Sequence, residues 1–379
     1  KMKKYIIILF ILFISTDGLT QTATVRGFVY NKSSKEPVMF CNVFLKKNTG
    51  NNQKEIVAGG VTDENGMYII SGINSVGEHK LIATYIGYDT SSTNVNLILG
   101  KILNKDLEIE ESSIKLGEVR VSAEREAMRT EVKVGSIKVT KKDLELIPTI
   151  GGEADLAQYM QIIPGVVFTG DQGGQLYIRG GSPIQNKILL DGMTIYSPFH
   201  SIGLFSVFDS DIIRNTDVYT GGFGAEYGGR ISSIMDIQTI DGNKKKFSGK
   251  ITSNTFNSKL FLEGPLSRNK NSSFIFSGKT SYLDQSFEKL YKSLYPEERL
   301  PYGLPYTYTD LYGKVSLYGK RSRINLFGFN FEDNVNYETT SLGWNSNGIG
   351  GKFVLIPSNL VMTIGGNFAY SKYNVRFQE

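Results

Sequence analysis

The chain has 379 residues, of which 40% are hydrophobic, and this apolar content supports folded domains and excludes a disordered protein. Its formal net charge of +5 is small for this length, and without a basic stripe along the sequence it argues against nucleic acid as a partner. The 41 glycines favour turn-rich β structure, and the single cysteine, Cys41, excludes an internal disulfide framework.

Residues 1–20 have the order of a secretory signal peptide. Three lysines flank the start of an apolar run from Tyr5 to Ile14, and small and polar residues follow it. The run is shorter than the roughly 20 apolar residues of a membrane-spanning helix, so we expect cleavage before Gln21 rather than an anchor. No later segment of the sequence is apolar and long enough for such a helix, which leaves a soluble secreted protein or a β-barrel.

Residues 21–110 alternate in short apolar runs that are separated by turn residues. The stretch "VTDENGMYII" places Asp63 and Gly66 between two such runs, and "KLIATYIGY" and "NVNLIL" keep the period of two. Several short strands at this spacing predict a small β-sandwich. Asp63 and Asn65 lack the remaining ligands of a calcium loop, so we predict a plain turn.

Residues 111–130 contain a short extended segment, "LGEVRVSA", and then a charged, low-complexity stretch. We interpret this region as a linker. An edge strand of either neighbouring domain is the alternative, and the residues alone do not separate the two.

Residues 131–243 begin with helical signals. Thr140 stands three residues before Asp143, an acidic form of the capping pattern, and Pro148 ends that run. In "EADLAQYMQIIP" the residues Ala154, Ala157, Met160 and Ile163 share one face, which predicts a helix with a core methionine. Short strands bounded by glycines follow, so the region is predicted to be a compact α+β unit.

The stretch "IRGGSPIQNKILLDG" in this region raises the question of an active site. Gly180 and Gly181 permit close backbone turns, and Asp191 with Gly192 predicts a tight turn after a buried strand. Arg179 would be costly to bury unless a carboxylate meets it, so we expect its partner outside its own unit.

Residues 244–379 contain strands with one apolar and one small or polar face. "SFIFSGKTSY" separates the apolar set from the polar set at a period of two, and "LVMTIGGNFAY" does the same. The apolar set of the first stretch includes Phe274 and Phe276, and its polar set includes Ser277 and Lys279. This pattern is typical of strands with lipid outside and water inside, although a soluble sandwich with one wet face gives a similar pattern.

The sequence gives little support to a catalytic function. The chain offers only His79 and His200 to a serine triad, and clustered zinc ligands are missing from the sequence. "GGFGAEYGG" fails the dinucleotide-loop spacing because Tyr227 stands where the last glycine is needed. We therefore predict no enzyme activity, no catalytic residues, no cofactor and no metal site.

Two stretches nevertheless resemble the signature motifs of a known family. "LYIRGGSPIQNKILLDG" and "DVYTGGFGAEYGGRISSIMDIQT" look like the plug-domain motifs of TonB-dependent outer-membrane receptors. The upstream region resembles the carboxypeptidase-regulatory-like sandwich that often precedes the plug in receptors of Bacteroidota, and "LGEVRVSA" stands where such receptors carry the TonB box. The implied TonB box consists of Leu116, Gly117, Glu118, Val119, Arg120, Val121, Ser122 and Ala123. The implied plug motifs contain Ile178, Arg179, Gly180, Gly181, Asp191, Gly192, Gly221, Gly222, Glu226, Tyr227, Gly228, Gly229 and Arg230.

The resemblance implies a mainly β protein with an α+β plug. Its parts are a signal peptide (1–20), a β-sandwich (21–110), a linker with the TonB box (111–130), the plug (131–243) and the first strands of an antiparallel transmembrane β-barrel (244–379). The residues after Phe247 are too few for the about 22 strands of such a barrel, so we expect a C-terminally truncated fragment. A complete barrel of about eight strands, the competing view, has no room for a plug.

The function implied is active import of a scarce nutrient (siderophore, vitamin, glycan or peptide) across the outer membrane. Energised by ExbB and ExbD, TonB would pair with the TonB box as an added strand and pull, so that the plug rearranges. A surface lipoprotein and outer-membrane lipids are further expected partners, and the N-terminal domain is expected in the periplasm. A non-transporting signal transducer on the same scaffold and a secreted β-sandwich adhesin are the alternatives.

Two positions depart from the family pattern. Many relatives have a basic residue where this chain has Thr220, which puts a two-arginine latch onto barrel carboxylates in doubt unless Arg230 substitutes. The chain has "GGFGAEYGGR" where the glycan-importing SusC branch continues with an alanine-rich run, so a SusC assignment is not supported. We expect Arg179 to remain one half of such a latch.

Overall fold

The computed structural model describes residues 22–49, 53–63, 65–112, 136–147, 153–169, 174–200, 203, 205–267, 271–283, 306–319, 321–336, 340–357 and 362–378. These residues form two compact units, a sandwich domain (22–112) and a larger unit (136–378). The predicted signal peptide and the predicted TonB box lie outside the described residues. No helix among the described residues has the length and apolar character that a membrane crossing needs.

The described part of the sandwich domain contains two sheets. One has the strand order β4-β1-β7, with β8 also paired to β1, and the other has the order β3-β2-β5-β6. The strands are β1 (Ala23–Asn31), β2 (Asn42–Thr49), β3 (Gln53–Val61), β4 (Met67–Ile73), β5 (Gly77–Thr84), β6 (Ser91–Leu97), β7 (Ile102–Asn104) and β8 (Leu107–Ile109). The predicted β-sandwich is confirmed.

Apolar side chains from both sheets fill the core of the sandwich. Val25, Leu45 and Leu81 are fully buried, as expected where every second residue of a strand points inward. The turn before β4 forms at the predicted residues, because one carboxylate oxygen of Asp63 accepts hydrogen bonds from the backbone N–H groups of Asn65 and Met67, both at 2.8 Å. Such a side-chain bond replaces backbone pairing that the chain loses as it reverses.

The larger unit begins with a central domain, residues 136–241. Its main sheet has the order β13-β12-β15-β14-β9, in which β12 and β15 are parallel and the other pairs are antiparallel. A separate hairpin joins β10 to β11. The elements are β9 (Ser136–Thr140), α1 (Lys141–Glu145), α2 (Leu156–Met160), β10 (Val166–Thr169), β11 (Gln175–Ile178), a 3-10 turn (Pro183–Gln185), β12 (Asn186–Leu190), β13 (Met193–Ile195), β14 (Ile213–Tyr219) and β15 (Ser233–Thr239).

Both predicted helices form, and both are short. Thr140 and Asp143 make the predicted capping box of α1, in which each side chain accepts a hydrogen bond from the other residue's backbone N–H. Asp155 caps α2 by accepting from the N–H of Ala157 at 2.7 Å. Met160 is fully buried, so its prediction as a core residue is confirmed.

The rest of the larger unit is a seven-stranded antiparallel sheet in which each strand pairs with the next along the chain. Its strands are β16 (Ser248–Ser253), β17 (Asn257–Pro265), β18 (Ser272–Ser281), β19 (Tyr306–Tyr318), β20 (Ser322–Asn336), β21 (Ser341–Leu355) and β22 (Ile364–Gln378). In β18, Ser277 and Lys279 are buried while Phe276 is exposed, which confirms the predicted two-faced pattern. This meander is the predicted start of a barrel.

The inward face of this sheet packs against the central domain. Phe261, Ile275 and Phe331 of the sheet share one hydrophobic cluster with Val218 and Met235 of the central domain. The inward positions therefore face protein, whereas the sequence pattern had suggested water. The fold class is confirmed as mainly β, with a sandwich, an α+β domain and the first strands of an antiparallel sheet.

Candidate functional site

The interface between the central domain and the seven-stranded sheet contains many buried charges. The sheet contributes cations from inward positions on four neighbouring strands, each at most 6% exposed, namely Lys259, Lys279, Lys314 and Arg323. The central domain contributes buried or nearly buried carboxylates, namely Asp191, Asp209, Asp211 and Asp241. Because a buried charge is costly unless it is paired, the pairing of these groups decides how the two parts fit.

Asp241 is the most heavily paired of these carboxylates. It follows β15 and is completely buried, and its Oδ2 contacts the guanidinium of Arg323 on β20. Its Oδ1 lies 3.2 Å from Nζ of Lys314 on β19. Arg214, in the central domain itself, lies 2.8 Å from Oδ2. Two cations of the sheet and one of the central domain thus converge on a single carboxylate, which ties the end of the central domain to the sheet.

Asp191 forms a second contact with the sheet. Its backbone has a φ of 48°, an uncommon value outside glycine, and together with Gly192 it makes the predicted tight turn. Its Oδ2 accepts hydrogen bonds from Thr239 and from the hydroxyl of Tyr312 on β19. Burial alone would raise the pKa of Asp191, but the nearby ammonium of Lys314 and these hydrogen bonds outweigh burial and lower the pKa. Asp191 is therefore ionised when it contacts the sheet.

Lys259 of β17 lies among three carboxylates of the central domain. Its Nζ is 2.7 Å from Oδ1 of Asp209 and 2.8 Å from Oδ2 of Asp211, and it also contacts Glu153. These three carboxylates are close enough to one another to hold a metal ion, but the ammonium of Lys259 lies among them. Burial and the neighbouring Asp211 raise the pKa of Asp209 to about 6, although Ser277 donates a hydrogen bond to it at 2.5 Å.

His200 reverses this polarity, because here the central domain supplies the base and the sheet supplies the acids. Its Nε2 lies 2.9 Å from Oδ2 of Asp310 on β19, and its Nδ1 lies 3.0 Å from Oδ2 of Asp333 on β20. The ring is completely buried and stacks on Tyr308, with the two ring centroids 3.7 Å apart. One histidine thus bridges two neighbouring strands of the sheet.

Comparison with known families assigns both domains. The family model of the CarboxypepD_reg-like domain matches residues 25–121, and the model of the TonB-dependent Receptor Plug Domain matches residues 132–233. The central domain is a TonB-dependent receptor plug domain. The plug therefore follows a carboxypeptidase-regulatory-like sandwich, as the sequence motifs predicted.

Solved receptor structures are similar to part of this chain at low identity. The siderophore receptor PirA from Pseudomonas aeruginosa is 18% identical, over 64% of this chain and 41% of that chain, with a TM-score of 0.44. PirA from Acinetobacter baumannii is 15% identical over 66% and 45%, with a TM-score of 0.37, and the copper transporter OprC is 15% identical over 62% and 37%, with a TM-score of 0.44. The chain thus spans less than half the length of these structures. A search of curated proteins found no match. The assignment of the plug depends on the family model.

The first plug motif forms a turn in which its two glycines have different roles. Ile178 is buried at the end of β11, and its C=O accepts a hydrogen bond from the N–H of Gly181 at 2.9 Å. Gly180 has a φ of 79°, with open space around its α-carbon. A Cβ on Gly181 would lie 1.9 Å from Oγ of Ser232 and 2.6 Å from its Cβ. Gly180 is therefore required for its backbone angle and Gly181 for its lack of a side chain.

The second plug motif lies beside the first. A Cβ on Gly221 would lie 3.1 Å from Nη1 of Arg179, and Lys187 donates a hydrogen bond to the C=O of Gly228 at 2.8 Å. The hydroxyl of Tyr227 donates to Asp236 of the plug at 2.9 Å. The structure therefore brings the two motifs together, and their contacts lie within the plug.

The remaining residues of the second motif form an exposed loop. Gly222 and Gly229 have φ angles of 73° and 84°, which glycine adopts without strain. Glu226 is exposed, and Arg230 is exposed with its guanidinium donating to the C=O of Gly229 at 3.0 Å. Arg230 could replace the second arginine of the latch only by pairing with a carboxylate, and it pairs with none of the described carboxylates.

The charges that join the plug to the sheet differ from the expected latch. Arg179 is exposed, and no carboxylate of the described residues lies within ion-pair distance of it. Apart from His200, which meets two acids of the sheet, the ion pairs found join plug carboxylates to lysines and an arginine of the sheet, which is the opposite polarity. A partner for Arg179 elsewhere in the receptor stays a prediction.

The sequence reasoning missed the residues that carry the interface. Lys279 was assigned only to the polar face of its strand, and His200 was considered only as a catalytic base. Asp191 was interpreted as a turn residue and as part of a plug motif, and its contact with the sheet was not predicted. The sequence did contain one signal of this interface. Lysines stand at inward positions of strands, where a buried charge without a partner is costly.

Proposed function

We propose that this chain belongs to an outer-membrane receptor that imports a scarce nutrient by TonB-dependent active transport. The observation that carries the proposal is a plug domain that is held on the inward face of an antiparallel sheet by noncovalent charge pairs. Such an attachment keeps the plug in one position and can still be broken by a mechanical pull, because no contact in it is covalent. The nutrient class is a siderophore, a vitamin, a glycan or a peptide.

The order of domains gives the pull a route into the plug. TonB, energised by ExbB and ExbD, would add a strand to residues 116–123 and pull on the linker that follows. The first plug element on this route is β9, an edge strand that pairs only with β14 among the described strands. Lys141, directly after β9, lies 2.9 Å from Asp211, which also contacts Lys259 of the sheet. Force on the linker would therefore reach the Lys259 cluster first.

The proposed location is the outer membrane, with the sandwich in the periplasm. Large apolar side chains are exposed on the outward face of the sheet, among them Phe276, Leu311, Leu326 and Phe368. This face suits contact with lipid, and the exported chain that a signal peptide at 1–20 implies would reach that membrane. The proposed domain bounds are 21–110 for the sandwich, 111–130 for the linker, 131–243 for the plug and 244–379 for the partial barrel. A surface lipoprotein is a further proposed partner.

Proline substitution in the proposed TonB box tests the function. Val121→Pro removes a backbone donor that strand addition needs, so it should abolish uptake and leave nutrient binding at the cell surface unchanged. Val121→Ala, which keeps the N–H, is the matched control and should import normally. Uptake and binding are measured in cells that carry the full receptor as the only transporter for one ferric siderophore, cobalamin, glycan or peptide at a time. Unchanged uptake by Val121→Pro, for a nutrient that wild type imports, would refute the proposed TonB box.

A further inference from the structure

We propose that His200 is a proton-dependent clasp, which fastens one loop of the plug to the sheet when the imidazole is protonated and releases that loop when the proton is lost. The inference concerns the attachment of the plug, so it holds whichever nutrient is transported. It rests on the contacts of one ring with two strands of the sheet, β19 and β20.

The hydrogen-bond geometry of the ring requires two N–H groups. Nε2 faces Oδ2 of Asp310 at 2.9 Å and Nδ1 faces Oδ2 of Asp333 at 3.0 Å. A carboxylate only accepts hydrogen bonds, and a neutral imidazole has a single N–H. A neutral His200 would therefore direct a lone pair at one of these carboxylates. The site fits an imidazolium, which donates to both.

The charged groups nearest to the ring belong to the sheet. The sheet supplies the acids Asp310 and Asp333, and it supplies one further cation, Lys279 on β18, whose Nζ lies 3.2 Å from Oδ2 of Asp310. Loss of the proton removes one positive charge from this buried site and leaves a ring lone pair facing one of the two carboxylates. Two aromatic rings of the sheet also lie beside the imidazole, Tyr308 and Trp344, with centroids 3.7 Å and 6.4 Å from that of His200.

The direction of the pKa shift sets the pH range of the clasp. Burial would lower the pKa of His200, but attraction by Asp310 and the hydrogen bonds to Asp310 and Asp333 outweigh burial and raise the pKa above its ordinary value of 6.5. The stabilisation is therefore complete below pH 6.5 and is lost as the pH rises through the higher value in the folded protein. Burial and the nearby Asp211 also raise the pKa of Asp209 in the plug, to about 6, which lies below the range in which His200 titrates.

The loop that carries His200 is closed by its own hydrogen bonds. The N–H of His200 donates to the C=O of Phe205 at 3.0 Å, and the N–H of Val207 donates to the C=O of Pro198 at 3.0 Å. Ser206 donates to the carboxylate of Asp155, the capping residue of α2, at 2.9 Å through its backbone N–H. The backbone of His200 and the capping residue of α2 therefore belong to one hydrogen-bonded network, which connects the site of protonation to the start of α2.

Hydrogen exchange of the full receptor in lipid nanodiscs, read by mass spectrometry over residues 196–207, tests the clasp. The pH is varied from about 5.5 to about 8.5, across the range in which histidine titrates, and rates are corrected for intrinsic exchange. We expect wild-type protection to fall at least about tenfold as the pH rises, the usual size for loss of a charged hydrogen bond. His200→Gln should show low protection without that fall. Wild-type protection that does not change with pH would overturn the proposal.

A matched histidine and a second variant complete the experiment. His79, in the sandwich, contacts the C=O of Gly77 and the hydroxyl of Ser75 and no carboxylate of the described residues, so His79→Gln should keep the wild-type pH dependence. Asp333→Asn keeps His200 and removes one of its two acids, so the midpoint of the fall should move to lower pH. An unchanged midpoint in Asp333→Asn overturns the proposal even if His200→Gln does not fold.

Discussion

The sandwich domain and the interface between plug and sheet are stabilised by different interactions. Fully buried positions of the sandwich are mostly apolar, such as Val25 and Leu81, with Arg26 and its hydrogen bond to Asn104 as an exception. The interface between plug and sheet adds paired charges such as Asp241 with Arg323 to its apolar cluster. Apolar burial is non-directional and indifferent to pH, whereas each buried ion pair fails when one partner is changed. The charge pairs can therefore hold the plug in one position and can also be broken by a change at one of the two partners.

The largest effect that the comparison predicts is at Asp241. Asp241→Asn leaves Arg323 and Lys314 without their shared carboxylate in a buried site, and removal of one partner of such a pair costs about 3–5 kcal/mol. Native-state hydrogen exchange should show this loss in the plug and in the sheet, and no loss in the sandwich.

Glu226→Gln is the matched control, because Glu226 is an exposed carboxylate of the same plug. Its exchange should stay within about 0.5 kcal/mol of wild type. Equal effects of the two substitutions would mean that plug carboxylates do not hold the sheet.

Leu81→Ala is the corresponding change in the sandwich. Leu81 is fully buried in the apolar core, and such a truncation costs about 2–5 kcal/mol. Thermal unfolding should shift for the sandwich alone and by the same amount at pH 6 and pH 8, since no titrating group is involved. A pH-dependent shift would contradict the contrast between the two regions.

Gly181→Ala and Gly180→Ala separate two kinds of glycine in the first plug motif. A Cβ at 181 meets Ser232, and such overpacking costs about 2–3 kcal/mol, whereas Gly180→Ala has space and bears only the backbone cost of about 1 kcal/mol. Both costs are measured as changes in the free energy of opening, from hydrogen exchange of peptides of the plug. The reverse order of the two would show that the turn is not built as described.

Arg179→Ala should have the smallest effect on the contacts described here. Arg179 is exposed and makes no ion pair with the described residues, so we expect a change within about 0.5 kcal/mol in the exchange of the plug. A loss comparable with that of Asp241→Asn in the full receptor would instead identify a carboxylate partner for Arg179 outside the described residues.

Local patterns were sufficient to predict several elements of the fold. Helices and strands have short periods, so each of these patterns extends over only a few residues. Examples are the capping pair Thr140 and Asp143, the helical face of Met160 and the alternation around Phe276. The plug motifs were recognisable for the same reason, since a turn with Gly180 and Gly181 has narrow backbone requirements.

The charge pairs of the interface could not be predicted in the same way. Asp209 and Lys259 are 50 residues apart, and Asp310 is 110 residues from His200, so no local period relates the partners. The sequence shows that a lysine stands at an inward position, but the fold decides which carboxylate lies opposite. The family resemblance led us to expect a plug cation, Arg179, opposite a carboxylate of the barrel. The pairs that form depend instead on this chain's own side chains.

A double-mutant cycle on Asp209 and Lys259 tests most directly whether paired charges hold the plug to the sheet. The Nζ of Lys259 lies 2.7 Å from Oδ1 of Asp209, and both side chains are buried. Hydrogen exchange of the plug is measured in the full receptor for wild type, Asp209→Asn, Lys259→Gln and the double variant. We predict a coupling energy of about 1.5 kcal/mol or more, as found for close charge pairs at interfaces. A coupling energy near zero, with the two single losses adding, would contradict an interface held by charge.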